Sequence, residues 1–335
     1  MKRLKVGIAG HGIVGKKRHH FINFNSNLKV VAVCDKSFKT NFKKLNGINY
    51  YKNVYDLLNE KLDILFVCLT NDVAAEVTVK ALNNGFHVFC EKPPGRNVKD
   101  IEKVITEESK HKNLKLKYGF NHRYHDSIIE ALSLIKSGKL GSIINLRGVY
   151  GKSRIIPFSG GWRSKRKIAG GGILLDQGIH MLDLMMLFCG KFSDVKSFVS
   201  NSFWNHDVED NAYAIMKNKD GVIAMLNSTA TQWEHKFNLD ISLSKGFISL
   251  TGILSGSKSY GEEKIIYGIR DNKSNNGQMY SNTIKYLDDN SWKREIDEFT
   301  EIILNNKKVI SGSSIQAYDA MNLVFKIYNS DKTWK

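Results

Sequence analysis

The chain has 335 residues, room for two domains of ordinary size, each burying its own core. Its 42% apolar and 25% charged residues exclude a disordered or fibrous protein, three prolines leave no Pro-rich linker, and no run of about 18 apolar residues suggests a membrane span. The formal net charge is +17, concentrated in residues 1–122, where 22 Lys and Arg face 11 Asp and Glu; these cations are dispersed and read as a solvated surface, with attraction of phosphate-bearing ligands as the alternative, and no nucleic-acid motif accompanies them.

In chain order, Leu4–Gly10 reads as a strand that leads into a Gly-rich turn and a helix through His20. Charges at Lys2, Arg3 and Lys5 precede it, but the longer apolar segment and cleavage site of a signal peptide do not follow, so a cytoplasmic protein is expected. Strands are expected at Leu28–Asp35, Asp63–Thr70, His87–Cys90 and Leu114–Phe120, with helices at Asn71–Gly85 and Asp100–His111. Buried apolar strands alternating with amphipathic helices indicate a doubly wound parallel sheet. After about residue 122 the pattern changes: helix at Ser127–Ser137, strand at Ile143–Tyr150, a strongly apolar helix at Ile173–Phe188. From Val195 to about Leu250 β-rich segments with turns at Lys219-Asp220-Gly221 and Lys245-Gly246 suggest an antiparallel sheet built from hairpins. Helix returns at Lys293–Leu304 and Ile315–Tyr328. The four cysteines, Cys34, Cys68, Cys90 and Cys189, are scattered; three lie in apolar strands, and neither a disulfide framework nor a metal site is indicated.

Gly10-His11-Gly12-Ile13-Val14-Gly15 is a G-x-G-x-x-G that follows a strand and opens a helix, and Asp35 ends the next strand 20 residues beyond Gly15. The first glycine permits the tight turn, the second lets backbone approach a pyrophosphate, and the third lets helix and strand pack. Asp35 suits the ribose hydroxyls of NAD and repels the 2′-phosphate of NADP; Lys36 and Lys39 keep NADP as the alternative. Glu91-Lys92-Pro93-Pro94 follows the strand His87–Cys90, at the strand ends where such sheets bind ligands. Gly170-Gly171-Gly172 leads into a helix in which Asp176, His180 and Asp183 fall on one face at i, i+4 and i+7. A polar face on so apolar a helix reads either as a site or as a histidine satisfied within the core.

Together these segments resemble the glucose–fructose oxidoreductase, inositol dehydrogenase and MocA family. The resemblance is carried by GIAGHGIVG at the start, CEKPPG at 90–95, GFNHR at 119–123, GGWR at 160–163, GGGILLDQGIHMLD at 170–183 and REIDEF near the end. It implies an α/β protein: an N-terminal Rossmann domain (1–122) and a C-terminal α+β domain (123–335) with a large open, mainly antiparallel sheet, the final helices packing back on the first domain. It implies NAD as cofactor, a sugar-like substrate, a homodimer or homotetramer, and no nucleic-acid or membrane partner. Carried onto this chain, Lys92, His180 and Asp176 would be catalytic: Lys92 polarising the reacting hydroxyl, His180 as general acid/base, Asp176 orienting substrate and histidine. Lys92 and His180 are thus expected to converge on one carbinol oxygen. Gly10, Gly12, Ile13, Val14, Gly15, Asp35, Lys36, Thr70, Asn71, Glu91, Lys92, Asn121, Trp162 and Arg163 would contact cofactor, with Trp292 a further candidate. Arg123, Tyr124 and Arg163 would join Lys92, Asp176 and His180 at the substrate, and loops near 122–125, 151–169 and 203–211 would set specificity.

The chain departs from the pattern at Thr70-Asn71-Asp72-Val73-Ala74-Ala75, where the family has Thr-Pro and then a histidine, and at Pro94, where it has an aliphatic residue. Three activities fit the scaffold: oxidation or reduction of a sugar, polyol or sugar nucleotide, with phosphate or nucleotide suggested by Arg123, Arg147, Arg154 and Arg163; a glycosidase or nucleotide shuttle that keeps NAD bound; and a non-catalytic dinucleotide sensor, disfavoured by the presence of both Lys92 and His180.

Overall fold

The computed structural model describes residues 3–155, 161–255, 259–270 and 279–334. The elements run β1 (Leu4–Ala9), α1 (Ile13–Ile22), β2 (Leu28–Cys34), β3 (Phe42–Leu45), β4 (Ile48–Tyr51), α2 (Val54–Leu57), β5 (Ile64–Val67), α3 (Asn71–Asn83), β6 (His87–Glu91), α4 (Val98–Glu108), β7 (Leu116–Gly119) and α5 (Asp126–Lys136). They continue with β8 (Ile143–Ser153), α6 (Arg166–Ala169), α7 (Ile179–Cys189), β9 (Phe192–Ser200), β10 (Asn211–Asn218), β11 (Ile223–Gln232), β12 (Lys236–Leu243), β13 (Gly246–Thr251), β14 (Glu263–Arg270), β15 (Met279–Tyr286), α8 (Ser291–Leu304) and α9 (Ser314–Ser330). Two compact units result: Met1–Phe120 with Lys167–Gly170 and Trp292–Met321, and Asn121–Arg166 with Gly171–Ser291 and Asn322–Lys335.

In the first unit seven strands are ordered β3-β4-β2-β1-β5-β6-β7, parallel throughout except for the β3–β4 hairpin. Strand order reverses on either side of β1, the switch point at which a doubly wound sheet binds ligands. Val6, Ile8, Val33, Ile64, Phe66 and Phe89 form a core that Ile296 and Phe299 of α8 complete. The β3–β4 hairpin is absent from the strands read in sequence because all four residues of β3 are exposed and show no alternation. Its turn was legible, however: Asn46-Gly47, both with positive φ, is the residue pair that two-residue hairpins favour.

The second unit holds an eight-stranded sheet ordered β15-β14-β13-β12-β8-β11-β10-β9. It is antiparallel except where β8 runs parallel to β11, so hairpins alone do not build it. β14 and β15 lie beyond the β-rich segments read in sequence; β15 is an exposed edge strand whose residues carry no buried alternation. One sheet face receives α7, where Met181 and Met185 lie so close to Gly148 that a Cβ there would come within 2.9 Å of both. Stretch Arg166–Cys189 is apolar and long enough to cross a membrane by composition, but 67% of its most apolar window is buried within the protein, as in a core helix.

The apolar helix also differs from expectation at its start. Leu174–Gly178 forms a π turn, with the Ile179 N–H reaching the Leu174 carbonyl, before the α-helical geometry of α7 begins. The i, i+4 argument for Asp176 and His180 therefore crosses a widened turn, a feature that recurs at functional sites. Gly178 fits here because a Cβ would meet the Ser228 hydroxyl at 2.7 Å.

Candidate functional site

In the first unit the glycine loop leaves the end of β1. Gly10 has φ +90°, and a Cβ on it would lie 2.2 Å from the Cys68 carbonyl oxygen; one on Gly15 would lie 1.8 Å from the Gly10 oxygen. Nothing stands within 4 Å of the Gly12 Cβ direction. Helix α1 has no side-chain cap and no acidic residue in its first turn, so its N–H groups face an approachable, anion-friendly cradle. Ile13 is exposed and Val14 half-buried beside it. The Asp35 carboxylate, at the end of β2, accepts from the His11 N–H (2.9 Å) and from the Ser37 N–H and hydroxyl (2.9 and 2.6 Å). Burial alone would raise this carboxyl, but those bonds outweigh it and hold it below the ordinary aspartate value, so it remains an ionised acceptor. Burial, with His19 and Lys16 adding to it, pushes His11 down to about 4 against the pull of Asp35. Lys36 is exposed. These residues fit a dinucleotide: a backbone cradle for the pyrophosphate and a fixed carboxylate for ribose hydroxyls.

At the ends of the neighbouring strands, Thr70 precedes α3 and donates its hydroxyl to Asp72 (2.6 Å), while the Asn71 amide donates to the Ala169 carbonyl (2.7 Å). The 70–75 segment thus begins α3, with Thr70 at its N-cap position. Lys92 is half-buried after β6, joined to the buried Pro93 by a cis peptide. Glu91 beside it accepts from Arg18 Nε at 2.6 Å, and Arg18 Nη2 donates to Glu295 at 2.7 Å. Arg18 is fully buried, its guanidinium 4.4 Å from the Phe89 ring centre and 4.3 Å from that of Trp292. Burial alone would lower the guanidinium, but the two carboxylates outweigh it. Burial pushes Glu295 up to about 7 despite Arg18 and Lys117.

In the second unit His180, 5% exposed, stacks on His122 with ring centres 3.8 Å apart and planes 12° from parallel. The His122 Nε2 meets the Tyr150 hydroxyl at 3.0 Å and its Nδ1 the Asn121 oxygen at 3.2 Å. Asn121 also donates to Ser291 (3.3 Å). Asp176 lies between two cations, Lys152 and Arg163, each at 3.5 Å. The guanidinium of Arg163 is 4.4 Å from the ring centre of Trp162. The glycine run ahead of the π turn is seated on Glu209, which accepts from the N–H groups of Gly172 (2.7 Å) and Leu174 (3.0 Å) and from the Tyr328 hydroxyl (2.7 Å).

Asp176 and Arg163 thus share one polar cluster, to which His180 is linked through His122 and Tyr150, but Asp183 does not join it: it is 1% exposed and holds Arg123 through two bonds, to Nε (2.7 Å) and Nη2 (2.5 Å). That pair makes Arg123 the counter-ion of a buried carboxylate. Tyr124 is half-buried in the same short 3-10 turn, Asn121–Tyr124. Trp292 covers Arg18 and Lys17. Gly160 of the GGWR segment and part of the 151–169 loop lie outside the described residues. The sequence singles out none of Lys152, His122, Arg18 and Glu209, although His122, Lys152 and Glu209 fall within the loops expected to set specificity. Each gains its partner from a distant segment, and only His122, inside GFNHR, lay within a recognised motif.

Residues 4–120 match the family model of the GFO/IDH/MocA oxidoreductase family, NAD-binding Rossmann fold, and residues 128–249 match the GFO/IDH/MocA C-terminal domain. The chain is 29% identical over 350 aligned positions to D-glucoside 3-dehydrogenase of Escherichia coli K12, covering 98% of this chain and 96% of that one. It is 26% identical over 263 positions to inositol 2-dehydrogenase of Salmonella paratyphi B, covering 76% of each. The solved structure of levoglucosan dehydrogenase in complex with NADH has the same fold, with TM-score 0.84, 18% identity and coverage of 100% of this chain and 98% of that one.

Proposed function

The chain belongs to the GFO/IDH/MocA family of NAD-binding oxidoreductases, and we propose that it moves a hydride between NAD and a secondary hydroxyl or keto carbon of a sugar or polyol. Its relatives are dehydrogenases of glucosides and inositol, so the reaction class follows from the family and the substrate is the part proposed. The observation that carries it is the polar cluster of the second unit: a buried imidazole, His180, with Asp176 held between Lys152 and Arg163. Such a cluster supports binding of a polyhydroxyl ring, whose hydroxyls offer donors to a carboxylate and acceptors to cations.

NAD supplies the hydride acceptor. His180 takes the hydroxyl proton as general base and returns it in the reverse direction. Lys92 places an ammonium against the developing alkoxide. Asp176 orients the ring, with Lys152 and Arg163 holding its carboxylate in position. Asp35, already bonded by His11 and Ser37, favours NAD over its 2′-phosphorylated form. The second unit is assigned substrate binding and self-association. Its uncovered sheet face exposes Phe198 (80%), Tyr213 (52%) and Ile215 (57%), with Tyr213 directly opposite Phe198, and supports contact with a second copy.

The test is reduced-nicotinamide absorbance across a panel of free sugars, inositols, glycosides, sugar phosphates and nucleotide sugars. Substrate-dependent NADH formation supports the reading. Release of free sugar without net NADH marks a glycosidase, and NAD binding without turnover marks a sensor; either outcome overturns it.

A further inference from the structure

Hydride transfer at a single ring leaves one feature of the second unit unused. A cavity of about 360 Å³ is lined by Ser153, Ile155, Trp233, Glu234, His235 and Tyr260. Trp233 is 65% exposed, an unusual state for so large an apolar ring, yet it is held in place. Its carbonyl accepts from the Ser153 hydroxyl at 2.7 Å, and the Arg154 guanidinium lies 3.6 Å from its ring centre.

The cavity adjoins the polar cluster through shared side chains. The hydroxyl of Tyr260, in its wall, accepts from the side-chain Nε2 of Gln177, the neighbour of Asp176 (2.9 Å), and donates to its Oε1 (3.2 Å). The Tyr260 ring meets His235 at 4.7 Å and Tyr150 at 5.4 Å, both edge-on, and Tyr150 bonds His122, which stacks on His180. Lys152, near the end of β8, pairs with Asp176, and Arg154, just past that strand, lies over Trp233.

We propose that this cavity is a subsite for a second, uncharged ring, so that the substrate is a glycoside whose oxidised ring lies at Asp176 and whose linked ring stacks on Trp233. The inference rests on the proposed function and narrows its substrate class. The Trp233 indole suits the C–H face of a sugar or an aryl ring, and the cavity's polar rim of Ser153, His235 and Tyr260 suits ring hydroxyls. Glu234 in the wall opposes a phosphate, and the Arg154 guanidinium is engaged with two aromatic faces, Trp233 and, at 5.3 Å, Phe203. The cavity therefore disfavours the nucleotide sugars and sugar phosphates that the basic composition suggested.

The experiment compares kcat/KM of the full chain with NAD on a free sugar, its methyl glycoside, a disaccharide and an aryl glycoside of the same sugar, and its nucleotide-linked form. The same ratios are measured in Trp233→Ala, within one preparation so that any loss of folded protein cancels. The expected result is a preference of about tenfold or more for the disaccharide or aryl glycoside over the free sugar, and collapse of that ratio toward unity in Trp233→Ala. Preference for the disaccharide alone assigns a sugar ring; equal preference for the aryl glycoside assigns stacking of either ring. Equal turnover of free sugar and glycoside, a ratio untouched by Trp233→Ala, or preference for the nucleotide-linked form overturns the subsite while leaving the oxidoreductase reading intact. Absence of NADH formation with every member overturns the reading beneath it.

Discussion

Asp35 carries the clearest single-residue consequence. Its carboxylate is oriented by three protein donors and stays ionised well below neutrality. Hydrogen bonds to a charged acceptor contribute roughly 1.5–3 kcal/mol each, about tenfold to a hundredfold in binding. Asp35→Ala is therefore expected to raise KM for NAD by that factor and to narrow its advantage over NADP, with kcat changed less; initial rates with both cofactors check this, and an unchanged NAD/NADP ratio would show that Asp35 does not face the ribose. The three glycines and Asp35 were readable because their spacing is local and their context is a strand, a turn and a helix. Lys152 and Arg18 were not. Lys152 finds Asp176 from 24 residues away and Arg18 finds Glu295 across 277, and each looks in sequence like one more cation in a basic chain.

Among the elements, the glycine run and the π turn depend on Glu209. A Cβ at Gly172 would meet the Glu209 carbonyl oxygen at 2.0 Å, and the Glu209 side chain satisfies two N–H groups at the start of the helix that carries Asp176 and His180. Burial pushes its carboxyl above the ordinary value even with those donors and Tyr328. Glu209→Ala leaves buried donors without acceptors, each costing about 1–3 kcal/mol. A loss of about 2–5 kcal/mol is expected in denaturant titration, and a loss under 1 kcal/mol would contradict this role. The helix itself was legible from its apolar run, whereas its π turn was not, since a widened turn answers to tertiary packing at Gly178 and Ser228 rather than to periodicity. The same holds for β14 and β15. The outer strand of that hairpin is exposed along nearly its whole length and leaves no alternation to read. The exposed face of β9 and β10 shows the opposite case: alternation in β10 is clean, but the outward residues Tyr213 and Ile215 are apolar. Phe198→Glu with Tyr213→Lys is expected to shift the protein to a smaller species in sedimentation; an unchanged sedimentation coefficient rules this face out as the contact.

For the whole molecule, stability and catalysis answer to different groups. Glu295 is fully buried and its carboxyl is raised to about 7. A carboxyl raised on folding binds more protons in the native than in the unfolded state between its unfolded value and about 7, so its contribution is present at acid pH and is lost as pH rises through about 7. Wild type is expected to lose on the order of 2–3 kcal/mol relative to Glu295→Gln between about pH 5 and about pH 8.5; parallel stability profiles for the two proteins would contradict this.

The central claim is that Lys92 and His180 serve one chemical step. It is tested most directly by single-turnover NADH formation in Lys92→Ala, His180→Ala and the double variant, with NAD affinity measured alongside. Groups acting on one transition state are strongly non-additive. His180→Ala is expected to bind NAD as wild type does and each single variant to lose about 10²–10⁴ in rate at saturating NAD, with the double variant little slower than the poorer single. Intact turnover in either variant, or losses that multiply in the double, would contradict the account.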